Sequence, residues 1–179
     1  MAGEPGDYGQ MGGVVIDSPI GRLRVEADAT GVRAVRFDPE AMGAAPEAML
    51  AAPEAMLAAA VAQVREYFTG ARVAFDLPLV EPATASDFER AVWARLRRIP
   101  YGEQHTYGQV ATDLGDPGAA RAVGIACNRN PLPLLTPCHR VVGAGGKLVG
   151  FGGGLACKRW LLEHEARFAL ERAWRYDGS

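Results

Sequence analysis

The chain has 179 residues and a net charge of −2, with 49% hydrophobic and 22% charged residues. This composition is typical of a folded globular protein and excludes a largely disordered one. No apolar run is long enough to cross a membrane, and the first 13 residues lack the basic start and apolar core of a signal peptide. We therefore expect a cytoplasmic protein with no membrane partner.

The charge is distributed unevenly along the chain. Residues 1–83 hold 6 Lys or Arg against 12 Asp or Glu, whereas residues 84–179 hold 13 against 9. A basic second half suits contact with the phosphates of a nucleic acid. The three cysteines have spacings that match no zinc or redox pair, which indicates free thiols and predicts no metal site.

The first half is predicted to form a small α/β domain, which we assign to residues 14–82. After a loose tail of residues 1–13, the segment from Val14 to Phe37 contains three alternating or β-branched runs, separated at Ser18-Pro19 and Thr30-Gly31. Such runs with turn residues between them predict a meander of three antiparallel strands.

A repeat, a helix and a fourth strand complete this half. The heptad Ala44–Leu50 is repeated at Ala51–Leu57, but two copies are too few for a solenoid and we attach no function to them. Strong helix formers from residue 53 to 67, followed by Thr-Gly, predict a helix. Residues 73–79 are predicted to form a strand, and the proline-containing stretch 77–85 to connect the domains.

The second half, residues 83–170, is predicted to be mostly helical and to end in a tail of residues 171–179. Ser86 and Glu89 have the spacing of a capping box. Apolar residues at helical spacing from 88 to 99 then predict an amphipathic core helix, which Pro-Tyr-Gly ends.

Two short helices are predicted next. Thr106 would cap a helix over residues 107–114, Gly-Asp-Pro would turn the chain, and residues 118–128 would form a second helix, which together fit a helix-turn-helix. The second helix offers small residues and one arginine, which suits close approach to a minor groove more than reading of base edges. The alternative is that its Ala and Gly residues only pack against the preceding helix. The residues concerned are Ala120, Arg121, Ala122 and Gly124.

A reactive cysteine is indicated by the run from Asn130 to Val142, NPLPLLTPCHRVV. Its prolines fix φ and predict a stiff extended arm that ends at Cys138. A thiol attacks only as the thiolate, so it needs a neighbouring base, cation or dipole. His139, or the pair His164-Glu165, could supply that base and its orienting carboxylate.

These motifs resemble those of the O6-alkylguanine-DNA alkyltransferases, also called methylated-DNA–protein-cysteine methyltransferases. The resemblance runs from about Phe88 to Glu165 and is looser in the first half, where Ser18-Pro19-Ile20-Gly21 carries it. The matching motifs are Tyr101-Gly102-Glu103, Thr106-Tyr107, Ala120 to Gly124, Asn130-Pro131, Pro137 to Val142, Gly153-Gly154-Leu155 and Lys158 to Glu165. The resemblance implies an RNase H-like α/β domain, with a small antiparallel sheet and a helix, followed by a mostly helical winged helix-turn-helix domain.

Catalytic roles are also implied by the resemblance. Cys138 would take the alkyl group, His139 would remove the thiol proton through a water, and Glu165 would orient the imidazole. Asn130 would brace the active-site turn, and Tyr107 would donate to the purine N3 as guanine leaves. Because no base in this set can hydrolyse the thioether product, each molecule would react once.

The implied partner is double-stranded DNA, bound through the minor groove with the damaged nucleotide flipped out of the helix. Arg121 would fill the stack that the nucleotide vacates. The other implied DNA contacts are Ala120, Ala122, Gly124 and Thr106, and the implied pocket residues are Pro133, Val141, Phe151, Gly152, Gly153 and Cys127.

The glycine-rich loop after the cysteine bears on the range of substrates. Phe151 stands where the family commonly has Tyr, and Gly152 leaves the pocket wall open. We therefore expect methyl and larger alkyl groups on O6 of guanine to be accepted, and we leave O4-alkylthymine open.

Three other functions stay open from the residues alone. They are a non-enzymatic lesion-binding protein, a helix-turn-helix regulator and a cysteine hydrolase. Lesion-binding relatives lack the reactive cysteine, a regulator would need base-reading side chains, and a hydrolase would need an oxyanion hole. We expect no cofactor, no obligate protein partner and a monomer. Cys157 is expected to be inert, His105 exposed, and Trp93 and Trp160 part of the core.

Overall fold

The computed structural model describes residues 11–37 and 54–177. In these ranges the strands are β1 (Gly12–Ser18), β2 (Gly21–Asp28), β3 (Gly31–Phe37), β4 (His105–Thr106) and β5 (Val141–Val142). The α-helices are α1 (Glu54–Phe68), α2 (Asp87–Leu96), α3 (Tyr107–Asp113), α4 (Ala120–Asn128) and α5 (Gly154–Asp177). Single 3-10 turns occupy Pro117–Ala119, Cys138–Arg140 and Ala144–Gly146.

Strands β1, β2 and β3 form the predicted antiparallel meander. Val14 pairs with Val25, and Val25 pairs in turn with Val35. These three side chains are buried in one apolar cluster with the inner face of α1. The buried residues of that helix are Leu57, Ala60, Val64 and Tyr67. Removing this apolar surface from water is what holds the helix on the sheet.

The predicted strand over residues 73–79 is wrong. The segment is irregular, and Leu79 alone among these residues forms an isolated parallel bridge, with Val32. The amide of Val32 donates to the carbonyl of Pro78 at 2.8 Å, and the amide of Val80 donates to the carbonyl of Val32 at 2.9 Å. Because Pro78 has no amide hydrogen, the run cannot continue as a full ladder.

Two features of the sequence fall at the edges of the described residues. β1 begins at Gly12, inside the stretch assigned to a loose tail, whose residues 1–10 lie outside the described ranges. The first copy of the heptad, Ala44–Leu50, also lies outside them. Glu54 to Leu57 of the second copy form the first turn of α1.

Helix α2 begins where the capping box predicts. The Ser86 hydroxyl accepts from the amide of Glu89 at 3.2 Å, and the Glu89 carboxylate accepts from the amide of Ser86 at 2.8 Å. These two bonds satisfy donors that the first helical turn leaves free. The helix ends at Leu96 rather than at residue 99.

Helices α3 and α4 occupy the positions predicted for a helix-turn-helix. The side chain of Thr106 caps α3 as expected. α4 begins at Ala120 rather than at residue 118, because residues 117–119 form a 3-10 turn. The carboxylate of Asp116 accepts from the amide of Gly118 at 3.1 Å and so stabilises that turn.

Helix α2 packs against α4. The indole of Trp93 is buried, as expected of a core residue, and donates to the carbonyl of Ala126 at 2.9 Å. His105 is half-buried rather than exposed, because it pairs with Val141 between β4 and β5. Its Nδ1 lies 3.1 Å from a guanidinium nitrogen of Arg95.

The proline-containing segment before Cys138 is not the predicted extended arm. It folds into a buried turn in which the amide of Thr136 donates to the carbonyl of Leu132 at 2.8 Å, and Leu134 adopts a left-handed φ of 73°. Proline fixes its own φ but leaves ψ free. By turning, the chain places Leu132, Leu134 and Leu135 in the core of the first half.

Helix α5 runs through Asp177 and so includes residues that were assigned to a tail at 171–179. Its buried side chains are Lys158, Leu161, Leu162, His164 and Glu165. Through them the helix contacts residues of both halves of the chain. Among the described residues, no helix combines the length and the apolarity needed to span a membrane.

Candidate active site

Cys138 is the first residue of the turn Cys138–Arg140, where the buried turn that precedes it ends. The residue is 7% exposed. Burial raises the pKa of its thiol, while a hydrogen bond with the Asn130 side chain and the charge of Lys158 act against that rise. At neutral pH the resting side chain is therefore a thiol, which needs a base before it can attack.

The side chain of Asn130 spans the turn that leads to Cys138. Its Nδ2 donates to the carbonyl of Thr136 at 2.8 Å, and its Oδ1 accepts from the amide of Leu132 at 3.0 Å. Opening the turn would leave both ends of this amide unsatisfied in a poorly solvated place. The structure thus places Asn130 where a residue that braces the turn must lie.

His139 is completely buried and lies between Cys138 in sequence and Glu165 in space. Its Nε2 is 2.7 Å from Oε1 of Glu165. Burial lowers the pKa of His139, and Glu165 only partly offsets this effect. The ring is therefore neutral, with its single proton on Nε2 facing the carboxylate. Its Nδ1 is buried and finds no hydrogen-bond partner among the described residues.

Glu165 accepts hydrogen bonds from four of the described residues, which lie in α1, in the loop before β4 and in the turn Cys138–Arg140. Tyr67 at the end of α1 and His139 each donate at 2.7 Å, and the amide of Gly102 donates at 3.1 Å. Arg140 donates twice, at 2.9 and 3.0 Å. Burial alone would raise the pKa of Glu165, but His139 and Arg140 hold it well below its usual range. The carboxylate is consequently ionised.

Three members of this cluster were not assigned by sequence reasoning. Arg140 and Gly102 lie inside motifs of the family resemblance but were given no role. Tyr67 carries no sequence signal, since it follows an ordinary helical pattern and meets Glu165 only in the folded chain. Burial is the main reason that the pKa of Tyr67 is raised, and the neighbouring Glu165 adds to it.

The two histidines that the sequence offered as a base have different hydrogen-bond partners. His164 is also buried on α5, but its Nε2 donates to the carbonyl of Tyr67 at 2.9 Å and its ring stacks on Trp160, with the ring centroids 4.7 Å apart. It does not contact Glu165 through a hydrogen bond in the described part of the chain. His139 is therefore the histidine paired with the carboxylate.

Lys158 is a further residue that sequence reasoning did not assign. It is completely buried on α5 and donates to the carbonyl of Val149 at 2.9 Å. Within the ranges that the structure describes, no carboxylate lies in ion-pair contact with it. Burial lowers its pKa, and negative charge on Cys138 or Cys127 would act in the opposite direction. A buried lysine beside two thiols whose ionised forms it would stabilise points to a functional site.

A pocket of about 190 Å³ opens beside Cys138. Its walls come from both halves of the chain and are formed by Val35, Phe37, Cys127, Asn128, Asn130, Pro133, Cys138, Phe151 and Gly152. Phe37 on β3 meets Phe151 edge to face, with ring centroids 5.3 Å apart. Four of the six predicted pocket residues therefore line the cavity, and the sheet of the first half adds a wall that was not predicted.

Val141 and Gly153, the other two residues expected in the pocket, do not line this cavity. Val141 is fully buried in β5. Gly153 packs on Phe37, and a Cβ at this position would come within 2.6 Å of that ring. A larger cavity, of about 550 Å³, lies between residues 73–79 and the end of α2, and Cys138 does not line it.

The residues expected to contact DNA lie on α4, apart from Thr106 at the end of β4, and Tyr107, expected to contact the purine, is on α3. Tyr107 begins α3, and its hydroxyl donates to the carbonyl of Val149 at 3.1 Å. Burial raises the pKa of Tyr107 to about 12, so at neutral pH its hydroxyl keeps its proton. Arg121 is exposed on α4, whereas Ala120, Ala122 and Gly124 are half-buried, and Thr106 uses its hydroxyl in the cap of α3.

Both halves of the chain match known families. Residues 14–80 match the family described as 6-O-methylguanine DNA methyltransferase, ribonuclease-like domain, and residues 87–167 match its DNA binding domain. The chain is 40% identical over 151 residues to the methylated-DNA–protein-cysteine methyltransferase of Methanosarcina acetivorans, covering 84% of this chain and 96% of that one. It is 43% identical over 167 residues to the protein of the same name from Mycolicibacterium paratuberculosis, covering 90% and 96%.

Solved structures show the same similarity. The crystal structure of Mycobacterium tuberculosis OGT in complex with DNA superposes with a TM-score of 0.75 at 40% sequence identity. The match covers 86% of this chain and 92% of that one.

The two buried histidines predict how stability depends on pH. Burial lowers the pKa of both His139 and His164, so the folded state keeps them neutral where the unfolded chain binds protons, below about pH 6.5. The free energy of unfolding should therefore fall as the pH drops from about 7.5 to 5.5, a window above the titration of ordinary carboxylates. Urea unfolding at several pH values in this window measures the free energy of unfolding. A free energy of unfolding that stayed level or rose on acidification would contradict the assignment, and His164→Gln should remove part of the slope.

Proposed function

The chain belongs to the 6-O-methylguanine DNA methyltransferase family, and we propose that within this DNA repair protein Cys138 is the residue that receives the alkyl group. The protein transfers an alkyl group from damaged DNA to one of its own cysteines. One observation carries the assignment to Cys138, namely that His139 follows it directly. Because Nε2 of His139 is hydrogen-bonded to Glu165, Nδ1 is left without a proton and can accept one in the buried site.

His139 acts as the base that ionises Cys138. The thiol gives its proton, through a water, to Nδ1 of the neutral imidazole, and Glu165 stabilises the imidazolium that forms. The same carboxylate fixes the ring orientation beforehand, because Nε2 is already committed to it. The thiolate sulfur then bonds to the alkyl carbon as the bond from that carbon to O6 breaks, and the electron pair leaves with guanine.

Lys158 stabilises the thiolate on which this step depends. Its charge acts to lower the pKa of Cys138, against the effect of burial. In a poorly solvated site such a charge is effective, because little water is present to screen it. Lys158 is also anchored at the carbonyl of Val149, which the Tyr107 hydroxyl shares. The lysine thus connects the nucleophile to the loop that borders the pocket.

Tyr107 assists the departure of guanine. Its pKa of about 12 leaves the hydroxyl protonated, and a hydrogen bond to the purine N3 would spread the negative charge that develops on the ring. The product is a thioether on Cys138, which no group in the site can hydrolyse. The reaction is therefore stoichiometric rather than catalytic.

DNA is held through its minor groove by α4. The small residues of that helix permit close approach, and Arg121 is exposed at its beginning. Extruding the damaged nucleotide costs roughly a few kcal/mol, least for a badly paired base. Insertion of Arg121 into the vacated stack offsets part of this cost.

The pocket accepts alkyl groups larger than methyl. Gly152 is exposed, and a Cβ at this position would have no neighbour within 4 Å. The wall is therefore open on the side of Gly152, while Phe151 and Phe37 provide apolar surface for the transferred group.

The proposed acceptor is tested by weighing the protein after reaction. Incubation with a duplex that carries O6-methylguanine should add one methyl group per molecule, and peptide mapping should place it on Cys138. Cys138→Ala should gain none, because the other thiols lack the adjacent relay, while Cys157→Ala should react as the native chain does. Methylation of a different cysteine would contradict the proposal, and so would conversion of more than one equivalent of O6-methylguanine to guanine in the duplex per protein molecule.

The role of Lys158 is tested on the thiol itself, without DNA. In Lys158→Met the pKa of Cys138 should rise, so alkylation of Cys138 by iodoacetamide should slow by about tenfold for each pKa unit and its pH profile should shift upward. In this variant the carbonyl of Val149 keeps the Tyr107 hydroxyl as a hydrogen-bond donor, so the loop stays anchored. Arg159→Met removes an exposed charge from the same helix and should leave the profile in place. A profile in Lys158→Met that matched the native one would remove Lys158 from the mechanism.

A further inference from the structure

A second thiol lines the same pocket as Cys138. Cys127 lies in the last turn of α4, and it shares with Cys138 both the pocket and one buried apolar cluster. Neither forms a disulfide. The third cysteine, Cys157, does not line this pocket, and its thiol lies 3.5 Å from the carbonyl oxygen of Ile20. The proposed transfer step makes no use of Cys127.

Lys158 acts on both thiols. Burial is the main cause that raises the pKa of Cys127 to about 12, negative charge on Cys138 adds to the rise, and the charge of Lys158 opposes it. Once Cys138 carries an alkyl group, Cys127 is the remaining thiol of this pocket whose ionisation the charge of Lys158 favours.

We propose that Cys127 captures a second reactive carbon when the alkyl group on O6 of guanine carries its own leaving group, as the 2-chloroethyl group does, after Cys138 has taken the first carbon. The inference rests on the proposed role of Cys138 as alkyl acceptor. Its outcome is an ethylene bridge between two cysteines of one molecule. The second carbon is then prevented from reacting with DNA.

The chemistry balances without an oxidant or a cofactor. Cys138 first takes the chloroethyl group as the bond to O6 breaks and guanine is restored. The sulfur of the resulting sulfide then displaces chloride and closes a three-membered sulfonium ring. The sulfur of Cys127 attacks a ring carbon, the bond from that carbon to the Cys138 sulfur breaks, and its electron pair returns to that sulfur. The proton of Cys127 passes to water, so the products are two thioethers, chloride and a proton.

A two-carbon bridge is also less demanding than a direct bond between the thiols. A disulfide requires the sulfurs to be about 2 Å apart with a narrow dihedral range. An ethylene group has a rotatable bond and allows a longer separation. The transferred carbons moreover start on Cys138, inside a pocket of about 190 Å³ that Cys127 helps to line, so the second attack is intramolecular and competes well with water.

The test uses the full chain and two duplexes that differ only in the lesion, O6-methylguanine or freshly prepared O6-(2-chloroethyl)guanine. Intact mass and peptide mapping identify the product on the protein that has reacted. The chloroethyl duplex should yield protein in which one ethylene bridge replaces two thiol hydrogens and joins the peptide of Cys127 to that of Cys138. In Cys127→Ser the bridge should be lost and the reacted protein should carry a hydroxyethyl group on Cys138.

The controls separate this inference from the proposed function. Cys157→Ser should form the bridge as the native chain does. A native chain that accepts methyl but shows hydroxyethyl or chloroethyl on Cys138 without a bridge, a bridge to Cys157, or no product from the chloroethyl duplex would overturn the inference and leave the proposed function standing. Absence of methyl transfer from the methylated duplex would instead overturn the proposed function itself. Because the bridge is mapped in the native chain, the result does not depend on the folding of any variant.

Discussion

One buried carboxylate joins the two halves of this protein and sets the state of its reactive site. Glu165 is 1% exposed and receives hydrogen bonds from Tyr67 of the first half and from Gly102, His139 and Arg140 of the second. A buried charge is tolerated only where such donors compensate the loss of water, and removing one partner typically costs about 3–5 kcal/mol. The loss of any one donor would leave the charge of Glu165 less well compensated. Because Tyr67 belongs to the first half and the other donors to the second, the site is complete only when the two halves are packed together.

As a result, Cys138 lies next to its base, His139, but is not permanently ionised. Arg140 neutralises Glu165, so the carboxylate can orient His139 without forcing a second proton onto it. Burial keeps the Cys138 thiol protonated at rest. A protein that can react only once gains from this arrangement, because a free thiolate would be spent on any electrophile that entered the pocket.

Local chemistry was predictable from sequence, and contacts between distant elements were not. The cap of α2 by Ser86 and the antiparallel meander follow from spacings within a few residues. Tyr67 and Phe37 belong to the site only because the first half packs against it. The sequence pattern of a regular helix or strand does not indicate such a contact. The turn before Cys138 was misjudged for a related reason: proline restricts the backbone locally, but burial of the neighbouring leucines decides where the chain goes. Lys158 was missed because a lysine in a helix is ordinarily solvated.

The account depends most on the protonation state that Glu165 imposes on His139. Nitrogen NMR of the protein labelled in its histidines reports the two ring nitrogens separately and distinguishes the neutral tautomers from the imidazolium. We expect His139 at neutral pH to show a protonated Nε2 and an unprotonated Nδ1, and in Glu165→Gln this preference should be lost. A resonance pattern in which Nδ1 carries a proton, or in which the ring is doubly protonated at neutral pH, would contradict the claim that His139 is the base for Cys138.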